Sequence, residues 1–230
     1  MRRGTLVLLA GVLAGSAHAI LIDDFTSGFA GATTTTAAYY NTASANSIGG
    51  FRYVDHQFSS NPLSRPIATE VASAVPGNMF IEAGSGVNGS VTLAWGGATS
   101  SASGSGLLNS SAFSGLGSLD FTNELNFEVG YVNNDQASTQ LLMFVYDGAN
   151  ALSTTPLQNA AIGSGTLNFS LASFSGTADL TDVKIVGIAL LLPSGNDITL
   201  TRVETEAIPE PATLAVLGLA AAAIARRKRK

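Results

Sequence analysis

The sequence predicts an all-β domain, folded as a two-sheet sandwich, over residues 20–206. Apolar and polar residues alternate there over short stretches, which is the two-residue period of a β-strand. Gly, Ser, Asn and Asp separate these stretches, and no segment shows the 3.6-residue apolar stripe of a helix. Only 12% of the residues are charged and 25 are Gly, which argues against a coiled coil or a charged disordered chain.

Nine or ten strands follow from this alternation. Residues 141–146 are apolar on both faces, as expected of a central strand. Residues 32–47 and 99–118 are polar and rich in Gly, Ser, Thr and Ala, and they are predicted to be loops. The predicted strands cover residues 21–25, 51–56, 78–82, 91–95, 127–131, 141–146, 166–171, 183–192 and 197–204.

Length, cysteine content and charge exclude several classes of protein. A chain of 230 residues is long enough for one ordinary domain or two small ones. Without Cys it can form neither a disulfide framework nor a thiolate metal site. Residues 20–208 contain four basic and fifteen acidic residues, a formal charge of −11, which opposes nucleic-acid binding.

Residues 1–19 have the three parts of a secretory signal peptide. A basic start is followed by an apolar run over residues 6–14, and the small residues Ala17 and Ala19 occupy the −3 and −1 positions. Cleavage after Ala19 would make Ile20 the first residue and would remove the chain from the cytoplasm through the export machinery. The alternative is a buried N-terminal helix.

Residues 207–230 also have three parts. A helix of residues 212–225 would be roughly 21 Å long, short of the ~30 Å hydrocarbon core, so a few flanking residues are needed for a short transmembrane helix. The basic end would be held in the cytoplasm. The parts are Pro209, Glu210 and Pro211, then the uncharged run 212–225, then Arg226, Arg227, Lys228, Arg229 and Lys230.

This order of motif, apolar helix and basic end resembles the PEP-CTERM sorting signal of Gram-negative bacteria, a tail that is also labelled after ice-binding proteins. The segment Ile208–Leu214 matches the pattern of that family at nearly every position. The resemblance implies recognition by an exosortase, removal of the tail, and a final location at the cell surface or in the extracellular matrix. The alternative is a plain C-terminal membrane anchor. The chain would touch the membrane only through its signal and tail, before processing.

The middle of the chain is similar to the jelly-roll domains that precede many PEP-CTERM tails. Residues 21–25, 49–52 and 197–200 carry the likeness. Those domains resemble carbohydrate-binding jelly rolls, so the resemblance implies a jelly-roll-like sandwich and a role with exopolysaccharide. Three functions stay open: a non-catalytic surface or matrix protein, which the sequence favours, a polysaccharide-acting enzyme, and a purely structural domain.

Two groups of residues are candidates for catalysis. Glu124 and Glu128 on one strand would lie about 13 Å apart, whereas paired glycosidase carboxyls lie roughly 5 to 9.5 Å apart. Both are predicted to lie on the outer face of the strand. Asp55 and His56 are adjacent on a strand, so they should point to opposite faces, and no Gly-x-Ser-x-Gly motif accompanies them. The chain is therefore predicted not to be an enzyme.

Asp23, Asp24 and Asp197 are candidate ligands of a structural Ca²⁺ ion, the only cofactor considered. The first and last strands of a jelly roll often lie near one another, which would bring these carboxylates together. Carboxylate oxygens are the ligands that Ca²⁺ prefers. The alternative is that the first two are solvated carboxylates at the start of a strand.

Tyr39, Tyr40 and Trp95 are candidate contacts for a glycan, because an aromatic ring packs on the apolar face of a pyranose. The two Tyr residues lie in a predicted loop. Trp95 shares its strand face with Val91 and Leu93, which favours a place in the core. The run Thr33–Thr36 has no periodic copy, so it does not supply the regular array that an ice-binding surface needs.

Overall fold

A computed structural model describes residues 19–27, 29–71, 75–98 and 110–208, with the backbone alone for residues 29–32. The predicted signal peptide up to residue 18, most of the predicted loop 99–118 and the tail from residue 209 lie outside these ranges. Within them, no helix is both long and apolar enough to cross a membrane.

The described chain folds as two antiparallel β-sheets. One sheet has the order β12-β8-β15-β6-β5-β2, with β1 also paired to β15, and the other has the order β13-β10-β9-β14-β7-β4-β3, with β11 also paired to β9. The strands are β1 Leu21–Asp23, β2 Phe29–Thr34, β3 Ala38–Ala43, β4 Phe51–Ser60, β5 Ile67–Val71, β6 Met79–Ala83, β7 Asn88–Trp95, β8 Glu124–Asn134, β9 Gln140–Asp147, β10 Leu152–Thr154, β11 Gln158–Asn159, β12 Gly163–Ser170, β13 Ser175–Gly176, β14 Val183–Leu192 and β15 Asp197–Ala207.

The core lies between the seven-stranded and the eight-stranded sheet, as the all-β sandwich prediction requires. Phe127 and Val129 of β8 and Met143 and Val145 of β9 belong to one buried cluster with no exposed surface. Because β-strand side chains alternate between faces, each of these strands gives every second residue to the core. Short 3₁₀ turns at Ile48–Gly50, Ser110–Ala112 and Leu171–Ser173 are the helical elements of the described chain.

The loop prediction for residues 32–47 is wrong, because β2 and β3 run through this segment. Both are the last strands in the order of their sheets, β2 beside β5 and β3 beside β4. Edge strands bury little, so polar residues and Ala replace the apolar alternation that reveals an inner strand. Thr is nevertheless a good strand former, and the segment is rich in Thr. Residues 113–118, in the second predicted loop, belong to no strand.

Candidate functional site

The outer face of the eight-stranded sheet carries a shallow aromatic trough. Register places Tyr53, Ala94, Gly187 and Phe144 side by side on β4, β7, β14 and β9. The next row along the same face begins at Asp55 and continues across β7, β14 and β9 in the same way. The trough is defined by twelve residues: Tyr39, Tyr53, Asp55, Thr92, Ala94, Leu142, Phe144, Tyr146, Leu152, Thr154, Gly187 and Ala189.

The floor of the trough is made of small residues. Gly187 is essential here, because a Cβ atom at this position would lie 2.0 Å from Cζ of Phe144. The Phe144 ring therefore lies across the sheet instead of standing away from it. The trough contains a cavity of about 150 Å³, lined by Thr92, Leu142, Phe144, Tyr146, Leu152 and Thr154. A second cavity, of about 260 Å³, opens on the seven-stranded sheet.

Aromatic rings form both sides of the trough. Tyr39, which is 41% exposed, stacks on Tyr53 with ring centroids 6.1 Å apart and planes at 15°. Phe113 packs edge-on against Tyr53 at 5.5 Å. On the other side, Phe144 and Tyr146 meet edge-to-face at 6.1 Å. Tyr53 and Phe144 are buried, at 2% and 6% exposed, and Ala94 between them has no exposed surface, so the rings that a ligand can reach are those of Tyr39 and Tyr146.

The trough contains one carboxylate, Asp55, which accepts a hydrogen bond of 2.8 Å from Nε2 of Gln57. Burial raises the pKa of Asp55, against the opposing effect of this hydrogen bond. Burial, followed by the charge of Asp55, raises the pKa of Tyr53, and burial raises that of Tyr146. Both phenols are therefore neutral at pH 7 and can donate hydrogen bonds.

The three glycan candidates from the sequence are in different places. Tyr39 lies on the trough, but on a strand and not in a loop. Tyr40 points to the opposite face of β3, where its ring meets His56 edge-on at 5.9 Å. Trp95 is completely buried and donates a hydrogen bond of 2.7 Å from Nε1 to Asp23. The structure thus excludes Tyr40 and Trp95 as trough residues and confirms the core position of Trp95.

Sequence reasoning missed the three trough aromatics Tyr53, Phe144 and Tyr146. The signal was present in residues 141–146, which are apolar on both faces. Taken alone, this pattern indicates only a central strand. β9 is indeed an inner strand, between β10 and β14, but its outward side chains belong to the trough.

The structure separates the three candidate calcium ligands. The first and last strands are neighbours, as predicted, but Asp23 lies beside Val203. Six residues separate Val203 from Asp197, which places Asp197 about 20 Å away along β15. Asp24 instead accepts hydrogen bonds from the backbone N–H and the hydroxyl of Thr26.

Asp197 has other acidic neighbours. Its pKa is raised by burial and by the charges of Glu82 and Asp135. Even so, no group of three His, Cys, Asp or Glu residues within the described ranges is arranged to hold a metal ion. Calcium binding by the protein stays a prediction, but Asp23, Asp24 and Asp197 do not form a shared site.

The catalytic candidates do not form an acid–base pair. Glu124 is buried, contrary to the prediction that it shares the outer face with Glu128. A register shift explains the difference, because Asn126 pairs with Glu206 whereas Glu124 pairs with Ala207. One residue is thereby looped out of the pairing, and Glu124 turns inward.

His56 and Asp55 lie on opposite faces of β4, as predicted. His56 is completely buried between two Thr hydroxyls, 3.1 Å from that of Thr34 and 3.0 Å from that of Thr69. Burial lowers the pKa of His56 from 6.5 to about 4. The ring therefore links the two sheets as a neutral imidazole, and Asp55 cannot orient it.

Several solved structures are similar to this chain in fold. No functionally curated protein matches the chain. A solved family 11 carbohydrate-binding module of the cellulase Lic26A-Cel5E of Clostridium thermocellum is similar over 85% of this chain and 98% of its own, with 8% identity and a TM-score of 0.43. A family 11 carbohydrate-binding module from Clostridium thermocellum in complex with a β-1,3-1,4-mixed-linked tetrasaccharide is similar over 85% of this chain and 99% of its own, with 9% identity and a TM-score of 0.44. The agarase AgWH50C is similar over 67% of this chain but 22% of its own, with 10% identity and a TM-score of 0.42.

The C-terminal segment matches a family model. Residues 207–230 match the model described as the PEP-CTERM protein-sorting motif. These are the residues in which the sequence places the Pro-Glu-Pro tripeptide, the apolar run and the basic end. Residues 207–230 of this protein are therefore a PEP-CTERM protein-sorting motif.

Proposed function

We propose that this protein is a non-catalytic surface or extracellular-matrix protein that binds polysaccharide in its aromatic trough. A signal peptide exports it, and an exosortase of the producing Gram-negative cell recognises and removes its tail. The observation that carries the binding proposal is the trough itself. It presents two accessible rings, those of Tyr39, which is stacked on the buried Tyr53, and of Tyr146, which packs on the buried Phe144 and borders a cavity with Thr92 and Thr154.

Such a surface suits a sugar chain for a physical reason. The apolar face of a pyranose packs on an aromatic ring, while its hydroxyls need hydrogen-bond partners. The phenol of Tyr146 and the hydroxyls of Thr92 and Thr154 border the same cavity. One open groove with both apolar rings and neutral hydroxyls is better suited to a polysaccharide than to an ion or a nucleic acid.

The ligand that we favour is an exopolysaccharide of the producing cell. The sorting motif supports this choice, because it implies delivery to the outer surface, where such polymers accumulate. The formal charge of −11 over residues 20–208 would repel polyanions, so an uncharged or weakly charged polymer is favoured.

Two alternatives remain as outcomes of experiment. A polysaccharide-acting enzyme would need an acid–base pair, and the two best candidates, Glu124 and Glu128, lie on opposite faces of β8. An exposed Tyr39 that is stacked on Tyr53 favours a binding role over a purely structural domain. New reducing ends after incubation of the protein with polysaccharides would support the enzyme hypothesis. The absence of binding in the assay below would support the hypothesis of a purely structural domain.

Affinity electrophoresis in gels that contain exopolysaccharide from the producing cells tests the binding proposal. Retardation of the parent protein is expected, with a loss of at least about tenfold in affinity for Tyr39→Ala and for Tyr146→Ala. Phe80→Ala is the matched control, because Phe80 is 37% exposed but lies on the seven-stranded sheet. Equal retardation of all three variants and the parent would contradict the trough as the binding site.

A further inference from the structure

A row of neutral side chains borders the trough on the outer face of the eight-stranded sheet. Register places its members side by side on β4, β7, β14, β9 and β11. On the first four of these strands, each member is two residues from a trough residue, so it lies on the same face, about 7 Å away. We call these five residues the amide row: Gln57, Ser90, Leu191, Gln140 and Asn159.

The amide row is open to solvent, whereas the centre of the trough is covered. Asp55, in the row beside it, is 3% exposed, but Leu191 is 37% exposed and the other four members are exposed or half-buried. Thr92 and Leu142 line the cavity of the trough, and each has a member of the amide row as its next residue on the same face. A ligand that fills the cavity can therefore extend onto the amide row.

Hydrogen bonds determine which polar atoms the amide row presents. Nε2 of Gln57 donates to Oδ1 of Asp55 at 2.8 Å. An ionised carboxylate only accepts hydrogen bonds, so this contact leaves Oε1 of Gln57 as an acceptor for a ligand. Nε2 of Gln140 donates to Oδ1 of Asn159 at 2.9 Å, which leaves Oε1 of Gln140 as a second acceptor and Nδ2 of Asn159 as a donor. The row thus offers both acceptors and donors, as sugar hydroxyls require.

The size and charge of the amide row favour a neutral ligand that is a chain. Its strands follow the order β4-β7-β14-β9-β11, so four strand spacings separate Gln57 from Asn159, a distance of about 19 Å. Tyr39, which is 41% exposed, lies beyond the Gln57 end on β3. Leu191 gives the row an apolar surface at its middle, and none of the five members is charged. A row of this length without a charge fits several sugar units of a neutral chain better than a polyion.

We propose that the amide row is the polar half of the polysaccharide site, where a neutral chain of several sugar units lies across the strands from Tyr39 to Asn159. Binding in the row rests on the function proposed for the trough, because both surfaces would hold the same polymer. Oε1 of Gln57 and of Gln140 accept hydrogen bonds from sugar hydroxyls, and Nδ2 of Asn159 donates one. A chain whose hydroxyls recur along its length can make these contacts together.

Fragment length distinguishes the amide row from the trough alone. Exopolysaccharide from the producing cells is partially hydrolysed, its fragments are separated by length, and each length competes with the intact polymer in the affinity gel. For the parent protein, we expect competition to strengthen with length until a fragment spans the row of about 19 Å, and then to stay constant. Equal competition, per mole of fragment, by the shortest and the spanning fragments would overturn the proposal.

Substitutions at the two ends of the amide row test the contacts themselves. Gln57→Met and Asn159→Leu each remove an amide and keep most of the volume. Each should lower the affinity for spanning fragments about fivefold, the effect of one hydrogen bond, but lower that for the shortest fragments less than about twofold, because these can bind elsewhere in the site. Asn159→Leu leaves the buried Asp55 undisturbed, so it tests the row even if Gln57→Met fails to fold. Asn168→Leu is the matched control and should match the parent, because Asn168 is an exposed Asn on a strand of the seven-stranded sheet.

The possible failures of the amide row and of the trough give different results. Unchanged affinities in both end variants, together with a loss in Tyr146→Ala, would overturn the row and leave the function of the trough intact. No retardation of the parent protein by the exopolysaccharide would overturn both. A dimer in sedimentation equilibrium that Asn159→Leu dissociates would mean that a second copy of this chain covers the row instead of a polysaccharide. We expect a monomer for the parent and for this variant.

Discussion

Arg52 and Asp23 form a completely buried, two-point ion pair that joins the first strand to the eight-stranded sheet. Nε of Arg52 donates to Oδ2 of Asp23 at 2.7 Å, and Nη2 donates to Oδ1 at 2.6 Å. Trp95 donates to the same carboxylate at 2.7 Å, and the N–H of Phe25 donates at 2.8 Å. The Arg52 guanidinium also lies 5.1 Å from the centre of the Phe25 ring. The charges are therefore fully paired.

Breaking this pair should destabilise the domain strongly. Arg52→Met leaves the Asp23 carboxylate buried without its cation, and breaking such a pair costs about 3–5 kcal/mol. Urea unfolding measures the difference in the free energy of unfolding. Arg202→Met is the control, because the Arg202–Glu204 pair has an exposed Arg and should contribute about 0–1 kcal/mol. A loss of similar size in both variants would contradict the structural role of Arg52.

The sequence could not reveal this pair, although it predicted the fold around it. Alternation identified β4 and β7, and a pattern with a period of two also placed Trp95 in the core. Arg52 and Asp23 are 29 residues apart in sequence, however, and their contact depends on how β1 of the seven-stranded sheet packs against β4 of the eight-stranded sheet. A charged residue on a strand is ordinarily assigned to solvent. Neither of the sequence interpretations of Asp23, a calcium ligand or a solvated carboxylate, predicts a buried partner for an Arg.

The trough residues could also be predicted only in part from the sequence. The strands β4, β7, β9 and β14 could be recognised from their sequence, whereas β3 and β10 could not, although Tyr39 could be singled out. The row that joins Tyr53 to Phe144 needs the strand order β4-β7-β14-β9, which connects segments that are far apart in the chain. Pairing of distant strands is set by tertiary packing, so no local pattern predicts which side chains become neighbours.

His56 should make the domain less stable in acid. Burial lowers its pKa in the folded protein from 6.5 to about 4. The unfolded chain therefore binds a proton more readily between these values, and stability falls as the pH drops from 6.5 to about 4. The full effect is about 3 kcal/mol. Above pH 6.5 both states have a neutral ring, and this contribution to stability is constant.

Chemical denaturation at several pH values measures this effect. The difference in unfolding free energy between the parent and His56→Gln should shrink as the pH falls from 6.5 to 4, because Gln has no proton to gain. If the two curves stay parallel over this range, His56 is not the group responsible for acid sensitivity.

Gly187→Ala should damage the trough. The new methyl would lie 2.0 Å from Cζ of Phe144, so the ring or the strand must move. Ala is otherwise better than Gly within a strand, and a loss of about 1–3 kcal/mol would therefore report the clash. Thermal unfolding measures the loss. In a Phe144→Leu background the same substitution should cost less than about 1 kcal/mol, whereas an equal cost would place the clash elsewhere.

Glu210→Ala should block tail processing without affecting the domain. Glu210 lies beyond the last described strand, and it is the only charge between Glu206 and Arg226, so the substitution leaves the melting temperature of residues 20–208 unchanged. Two Pro residues flank the acid and reduce the ordering cost of its recognition at the outer surface of the membrane. In the native host, we expect the full-length form of this variant to accumulate in the inner membrane, as judged by fractionation and intact mass. A host without an exosortase should accumulate the parent in the same way, because the tail is then never removed. If the variant is trimmed and released like the parent, Glu210 has no role in sorting.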